Sequence, residues 1–421
     1  MKILVIGSGA REHAIVSKLL ESKYAPEVIC VPGNGGIGQI VRCVNIKVEE
    51  IDAIVNLAIT ESIDFVFVGP ENPLALGLTD KLNAANIRVF GPTQMAAKLE
   101  SSKKFSKDFM LKNNIPTAKY FVASDEKTAA KYIQNNDKYP IVLKADGLAA
   151  GKGVIIPNTE EEALAAIVTL QKMAPGEIVI EEFIEGPECS VLAFCDGKTV
   201  RTMVSGMDFK RVGEGDSGPN TGGMGVIAPN PCYTEELAKL CDEIIFKPTI
   251  KAMNDIGAPF KGCLYFGLML TADGPKVIEY NARFGDPETQ PILQLLKTDL
   301  VDIVNAVIDE RLDEIEIEWS KKTAACVILA SGGYPNEYVV GEKICGLDEK
   351  GQVCGEAVKI FHAGTSFDGE FKTAGGRVLA VTSTAENLTD ALNLCYGAAS
   401  KISFNGMHFR KDLEERVMEK L

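Results

Sequence analysis

The chain has 421 residues, 46% of them hydrophobic, and a formal net charge of -14, which is length enough for two to four domains. So acidic a balance lacks the basic footprint of a nucleic-acid or anionic-membrane binder, and any phosphate ligand must be met by local cations. No apolar run approaches the roughly 20 residues needed to span a bilayer, and the eleven cysteines form no C-x-x-C pair; with no leader-like n-region, h-region or cleavage site, they are expected to be reduced structural thiols of a cytoplasmic protein, without zinc.

The first hundred residues alternate β-branched runs at 2–6, 28–31, 65–68 and 88–90 with helical stretches, a βαβ pattern that predicts a parallel sheet. The first run leads into Gly7-Ser8-Gly9-Ala10-Arg11-Glu12-His13, a tight turn opening a helix, and helix N-termini attract phosphate or carboxylate. The dinucleotide fingerprint G-x-G-x-x-G fails at its third glycine, where Glu12 stands. The second strand ends in Val31-Pro32-Gly33-Asn34-Gly35-Gly36, with no acidic residue for a ribose hydroxyl. A nicotinamide cofactor is thereby disfavoured, while a turn that only packs a helix on a sheet stays open. The turns at 33–36 and at Gly69-Pro70-Glu71 also follow parallel strands. All three should therefore gather at the carboxyl edge of the sheet, where a small anionic substrate fits.

A lysine-rich helix is predicted over 102–113, then strands near 119–122 and 141–144. Lys144 ends the latter, before a loop containing Gly147, Gly151 and Gly153. Glycines let backbone N–H groups approach phosphate oxygens, and a lysine 4 Å from a phosphate charge contributes about 4 kcal/mol at an effective dielectric of 20. The segment lacks the P-loop pattern, and a glycine hairpin with a solvated lysine is the alternative. Residues 181–188, Glu-Glu-Phe-Ile-Glu-Gly-Pro-Glu, join an apolar slot suited to a base with carboxylates suited to a ribose, although alone they read as an acidic strand edge.

Strands at 178–182, 189–195, 199–205, 263–271 and 276–280 are expected to form antiparallel sheet, with a helix over 235–256 between them. The glycine-rich loop at 213–225 reads as a lid. In the segment running from Val277 to Glu288, Glu279 and Asn281 should share one face of a strand, two hard oxygen donors suited to Mg²⁺, with Arg283 continuing the alternation as a carboxylate fork. A polar strand edge facing solvent is the alternative. Strands at 324–330, 359–362 and 377–382 and a helix over 386–402 close the chain. His13, His362 and His408 are not spaced as a ligand set, and no serine sits in a G-x-S-x-G elbow.

Lys144 with its glycine loop, residues 181–188 and Glu279-x-Asn281 stand in the order used by ATP-grasp enzymes. Together with residues 7–13, 33–36, 68–71, 144–154, 218–225, 281–290 and Phe361-His362-Ala363-Gly364-Thr365, they make the chain resemble the phosphoribosylamine-glycine ligase family over essentially its whole length. The resemblance implies an α/β and α+β multidomain fold: an N-terminal parallel α/β domain over 1–101 that binds substrate, an ATP-grasp core of two α+β subdomains over 102–320 for nucleotide, metal and glycine, and a small β-rich C-terminal domain over 321–421. It implies ATP and Mg²⁺ or Mn²⁺, with glycine and 5-phosphoribosylamine as substrates, and a monomer with a weak dimer as the alternative. By resemblance Lys103 and Lys144, with Gly151 and Gly153, meet the phosphates, Glu181, Phe183 and Ile184 the adenine, and Glu188 the ribose. Glu279 and Asn281 hold the metal. Asp208 and Arg283 are candidates for the amino and carboxylate ends of glycine, and Gly9, Ala10, Arg11, Glu71 and Arg377 for phosphoribosylamine. Catalysis would rest on Lys144, Asp208 and Arg283 through positioning and charge. Ala10 stands where the family often has glycine and Phe209 where it often has histidine. The tail Arg410-Lys411-Asp412-Leu413 starts like the family's closing motif, then reads Glu414-Glu415-Arg416, and no role is assigned to it.

Overall fold

The computed structural model of the chain describes residues 1–148, 153–355 and 357–421. The N-terminal sheet is parallel throughout, in the order Arg42–Cys43, Glu27–Pro32, Lys2–Gly7, Phe65–Val68, Arg88–Phe90. Ile3, Leu4, Val5 and Ile6 are all buried, the continuous apolar run of a strand covered on both faces. Chain order reverses between the two neighbours of Lys2–Gly7, so the crevice beyond Gly7, Pro32 and Val68 is a topological switch point. The three glycine turns meet there, as expected. Gly33 N–H donates to the Gly7 carbonyl at 3.1 Å and Gly69 N–H to that of Ile6 at 3.0 Å.

A second, antiparallel sheet runs Tyr120–Ala123, Ile178–Glu182, Ile141–Ala145, Val154–Ile155. Two helices, Glu126–Gln134 and Glu160–Met173, are capped by the side chains of Asp125 and Thr159 and close a core of their own with Leu143, Ile167 and Ile180. The third sheet runs Val200–Thr202, Glu188–Asp196, Lys261–Thr271, Gly274–Asn281. The strands expected as one antiparallel sheet thus divide between two. The break lies at 183–187, where Gly186 turns at φ +152 and its backbone lies so close to the Leu270 carbonyl that a Cβ would sit 2.2 Å from the oxygen.

The fourth sheet joins Thr323–Ala330, Arg377–Ala385 and Val358–His362 to Gly225–Ala228 and Met207–Asp208. Mid-chain strands therefore extend the C-terminal sheet, and they carry Asp208 with them. The glycine-rich stretch expected as a lid loop holds a short hairpin, Arg211–Gly213 against Ser217–Asn220. The helix expected over 235–256 is broken by a π-turn at Asp242–Phe246, next to Pro248, which has no N–H for the regular ladder.

Phe67 and Phe90 of the N-terminal sheet stack at 4.5 Å, and Phe284 and Phe194 pack against them. One core therefore joins the first and third sheets. No helix among the described residues is long and apolar enough to cross a membrane.

Candidate active site

A cavity of about 780 Å³ is lined from the second and third sheets, the 208–222 stretch and the edge of the N-terminal sheet. At one end Lys144 is held on its strand by a hydrogen bond to the Ile278 carbonyl at 3.0 Å and an ion pair with Glu181 at 2.8 Å. Glu181 also pairs with Lys107 at 2.7 Å. Burial pushes Lys107 down to about 8 against the pull of Glu181. Lys103 donates to the Gly147 carbonyl at 2.7 Å; burial lowers its pKa, and Glu279 opposes the shift. Beside these cations Val142, Ile156, Phe183, Ile184 and Met269 form an apolar slot, with Gly153 at its edge. The backbone groups of Phe183 and Ile184 make no hydrogen bond among the described residues. Glu188 is bound by Lys210 at 2.6 Å.

Glu279 and Asn281 both reach the cavity, alternating as expected in an unbroken register opposite Gly267 and Tyr265; the irregularity lies just before them. The register slips so that Gly267 faces Glu279 while Leu268 faces Val277. Ile278 is thus a bulge, a common device beside active sites, and its carbonyl is the one that Lys144 takes. Burial disfavours the Glu279 carboxylate, but Lys210, Lys144, Lys103 and Arg283 outweigh it and hold the pKa below the ordinary value. No side-chain hydrogen bond or ion pair occupies Glu279 among the described residues. An ionised, unpaired carboxylate beside the Asn281 amide oxygen fits a hard divalent cation that takes its remaining oxygens from phosphate and water. No group of three or more His, Cys, Asp or Glu suited to a metal occurs among the described residues, so a cation here would depend on such outside oxygens.

Arg283 is the junction of the site. It bonds Glu71 of the N-terminal unit at 3.2 Å, Glu100 at 2.9 Å and Asn281 at 3.1 Å. Burial pushes Glu100 up to about 7, against the Arg283 charge and the N–H of Ala282, which Glu100 accepts at 2.6 Å. In Glu71 burial is outweighed by Arg283 and Arg11, and the pKa is lowered.

Asp208 lies behind Gly223, which turns at φ +110 with no room for a Cβ beside the carboxylate and Pro287. One carboxylate oxygen of Asp208 is buried without a partner. Burial, with Glu288 adding repulsion, drives its pKa well above the ordinary value, while Lys210 pulls the other way. Glu288 accepts from the Ser190 hydroxyl at 3.0 Å, and that hydroxyl meets Tyr265 at 2.8 Å. A carboxyl oxygen left unsatisfied beside a second acid can accept hydrogen bonds from an ammonium group.

At the switch point Arg11 donates to Glu12 at 2.6 Å and to the Phe284 carbonyl at 2.9 Å. Glu12 also accepts the Gly9 N–H at 2.7 Å, and it fills the space above Gly7 and Gly69, where a Cβ would come within 2.3 Å of it. The residue that breaks the dinucleotide fingerprint therefore caps its own helix, in the place where that fingerprint needs an open N-terminus. Gly9 and Ala10 do not line the cavity; Ala10 packs with Phe361 and Ile328. Arg377 crosses to the Gly222 and Asp286 carbonyls at 2.5 and 2.9 Å. Burial of Asp286 is outweighed by Arg377 and Arg11, which keep its carboxyl below the ordinary range.

The cavity thus gathers Arg11, Glu71, Lys103, Lys144, Gly153, Glu181, Phe183, Ile184, Glu188, Asp208, Glu279, Asn281, Arg283 and Arg377. Gly151 lies outside the described residues. Sequence reading passed over Glu100, Lys107, Lys210, Asp286 and Glu288, which also line the cavity. Lys107 follows Lys103 at i+4 on one helix, a spacing that could have found it.

His13 and His362, far apart in sequence, pack with ring centroids 5.6 Å apart, and the backbone N–H of His362 donates to His13 Nδ1 at 2.9 Å. Burial pushes His362 down to about 4. Both are structural links between the N- and C-terminal sheets.

Models of phosphoribosylglycinamide synthetase match the chain in three pieces: its N domain at residues 1–100, its ATP-grasp (A) domain at 101–289 and its C domain at 324–416. A phosphoribosylamine--glycine ligase of Caldanaerobacter subterraneus subsp. tengcongensis is 46% identical over 98% of this chain and 99% of its own length. One from Brucella melitensis biotype 1 is 45% identical over 100% and 99%. The crystal structure of the phosphoribosylamine--glycine ligase of Thermotoga maritima superposes with TM-score 0.83 at 33% identity, over 98% of this chain and 100% of that one. A biotin carboxylase complex from Campylobacter jejuni shares the fold alone, with TM-score 0.75 at 17% identity over 99% and 95%. With all three of its domain models matched and full-length relatives this similar, the chain belongs to the phosphoribosylglycinamide synthetase family.

Proposed function

We propose that the chain ligates glycine to 5-phosphoribosylamine at the expense of ATP, through glycyl phosphate, giving glycinamide ribonucleotide, ADP and phosphate in purine biosynthesis. The observation that carries this reading is the single cavity in which lysines, an ionised Glu279 and an unsatisfied Asp208 meet at Arg283, which bonds the N-terminal unit through Glu71.

In this reading adenine enters the apolar slot and uses the free backbone of Phe183 and Ile184, close to Glu181, whose own carboxylate serves Lys107 and Lys144. Glu188 receives the ribose. Lys103 and Lys144, with Gly151 and Gly153, meet the phosphates. Glu279 and Asn281 would hold Mg²⁺ or Mn²⁺, which when bound neutralises phosphate charge. Asp208 takes the glycine ammonium, whose charge favours the ionised acid, and Arg283 orients the carboxylate.

A carboxylate oxygen of glycine bonds to the γ-phosphorus as the bond to the bridging oxygen breaks, releasing ADP. The amine nitrogen of phosphoribosylamine, held between Arg11, Glu71 and Arg377 near Gly9 and Ala10, then attacks the acyl carbon. Phosphate departs and the nitrogen sheds a proton. Positioning and cationic charge supply the rate, so no histidine base is required. We also propose that the chain is a cytoplasmic enzyme of small-molecule substrates, a monomer with a weak dimer as the alternative.

Glycine labelled with ¹⁸O in its carboxylate tests the intermediate. One labelled oxygen should appear in each phosphate released; unlabelled phosphate during turnover would rule out an acyl phosphate.

A further inference from the structure

The 208–222 stretch forms one wall of the cavity, with Asp208 and Lys210 at its base and Arg211, Asp216 and Asn220 on its hairpin. A lone two-stranded hairpin is at best marginally stable in water, and Ser217, Gly218 and Pro219 of this one are exposed. Its tip also carries an unfavourable backbone. Gly215 turns at φ +66, and Asp216, which has a Cβ, is held at φ +51, a region few non-glycine residues occupy.

What holds the tip comes from almost 200 residues downstream. Arg410 Nη1 donates to Asp216 at 2.8 Å and to the Arg211 carbonyl at 3.2 Å, while its Nε and Nη2 donate to the two Asp412 oxygens at 2.8 and 2.7 Å. Asp412 accepts the Gly215 N–H at 2.8 Å. Arg416 forks onto the other Asp216 oxygen at 3.1 and 2.8 Å. Arg410 is only 1% exposed and lies over the Phe209 ring at 5.4 Å, so the clamp also reaches the residue between Asp208 and Lys210. None of these three groups touches a position assigned to a reacting atom.

We propose that Arg410, Asp412 and Arg416 are positioning residues that clamp the hairpin through Asp216, and so hold Asp208 and Lys210 where glycine and nucleotide bind. The proposal rests on the ligase reading above. It gives a role to the tail segment that the sequence left without one, and it separates two substrate sites. Asp208 and Lys210 belong to the clamped wall, whereas Arg11 and Glu71 belong to the N-terminal unit.

The test uses the full chain with Arg416→Ala, Asp216→Ala and the double variant, with Arg416→Lys as the conservative change; Arg410 is spared because of its burial. Hydrogen exchange of the 211–220 amides without ligands should quicken at least tenfold in each alanine variant while the N-terminal sheet keeps its protection. The KM for glycine should rise about tenfold or more with the KM for phosphoribosylamine within twofold of the parent. The double variant should match Asp216→Ala alone, because Arg416 has already lost its partner there; Arg416→Ala should fall short of both, since Arg410 still holds Asp216, and Arg416→Lys should recover part of the loss. Unchanged exchange in the hairpin, equal rises in both KM values, or additive effects would overturn the clamp. If the parent chain fails to use glycine at all, the ligase reading falls, and the exchange rates alone still decide whether the tail orders the hairpin.

Discussion

Glu279 is half-buried yet held ionised: four surrounding cations outweigh the desolvation that disfavours its charge. Replacing it with glutamine keeps the shape and removes the charge that fits a divalent cation. Glu279→Gln should lower kcat/KM about 100-fold or more, since electrostatic groups at developing charge contribute at least this scale, and should raise the Mg²⁺ concentration needed for half-maximal ADP release; an unchanged Mg²⁺ titration would contradict its role. Glu100 is the opposite case. Its folded pKa lies at about 7 against an ordinary 4.5, so between those values the folded chain keeps a proton that the unfolded chain has released. Stability must then fall as pH rises from 4.5 to 7. Glu100→Gln removes that contribution, and its melting temperature should drop less than the parent's over the same interval. Lys144, Glu279 and Arg283 could be found in the sequence because each sits in a motif at a strand end. Glu100 could not, because its partner Ala282 lies 182 residues away and nothing in a short helix announces that contact.

The first helix shows how one side chain decides what an element can do. Glu12 caps the Gly9 N–H, pairs with Arg11 and fills the gap between Gly7 and Gly69. Glu12→Ala loses a cap worth about 1 kcal/mol and leaves a buried guanidinium without its carboxylate. The melting temperature should fall, and weaker binding of phosphoribosylamine should accompany it, because Arg11 loses its anchor; a variant with parental stability would refute the cap. Strand positions were legible from β-branched runs, and the parallel N-terminal sheet followed from their spacing. Strand partners were not. The runs at 178–182 and 189–195 look alike, yet a single turn at Gly186 sends them to different sheets. The hairpin at 211–220 was hidden for a related reason: its glycines suggest a free loop, and the arginines that order it lie some 200 positions away.

Across the whole molecule, the phenylalanine cluster of Phe67, Phe90, Phe194 and Phe284 fuses the N-terminal sheet to the third sheet, while the second sheet keeps a separate core. The fusion fixes Glu71 against Arg283, and so brings the switch-point crevice of one sheet to the metal-suited strand of another. In the function proposed, that juxtaposition lets both steps of the ligation share one cavity, with the acyl phosphate placed beside Glu279 and Arg283 and the amine on the Arg11 side. The central claim is that sustained ATP turnover requires both glycine and the amine. ADP release should be measured with ATP, Mg²⁺, glycine and freshly generated phosphoribosylamine, leaving out each in turn. The account predicts rapid ADP release only in the complete mixture, with one glycinamide ribonucleotide per ADP; ADP released at an undiminished rate without glycine would contradict it.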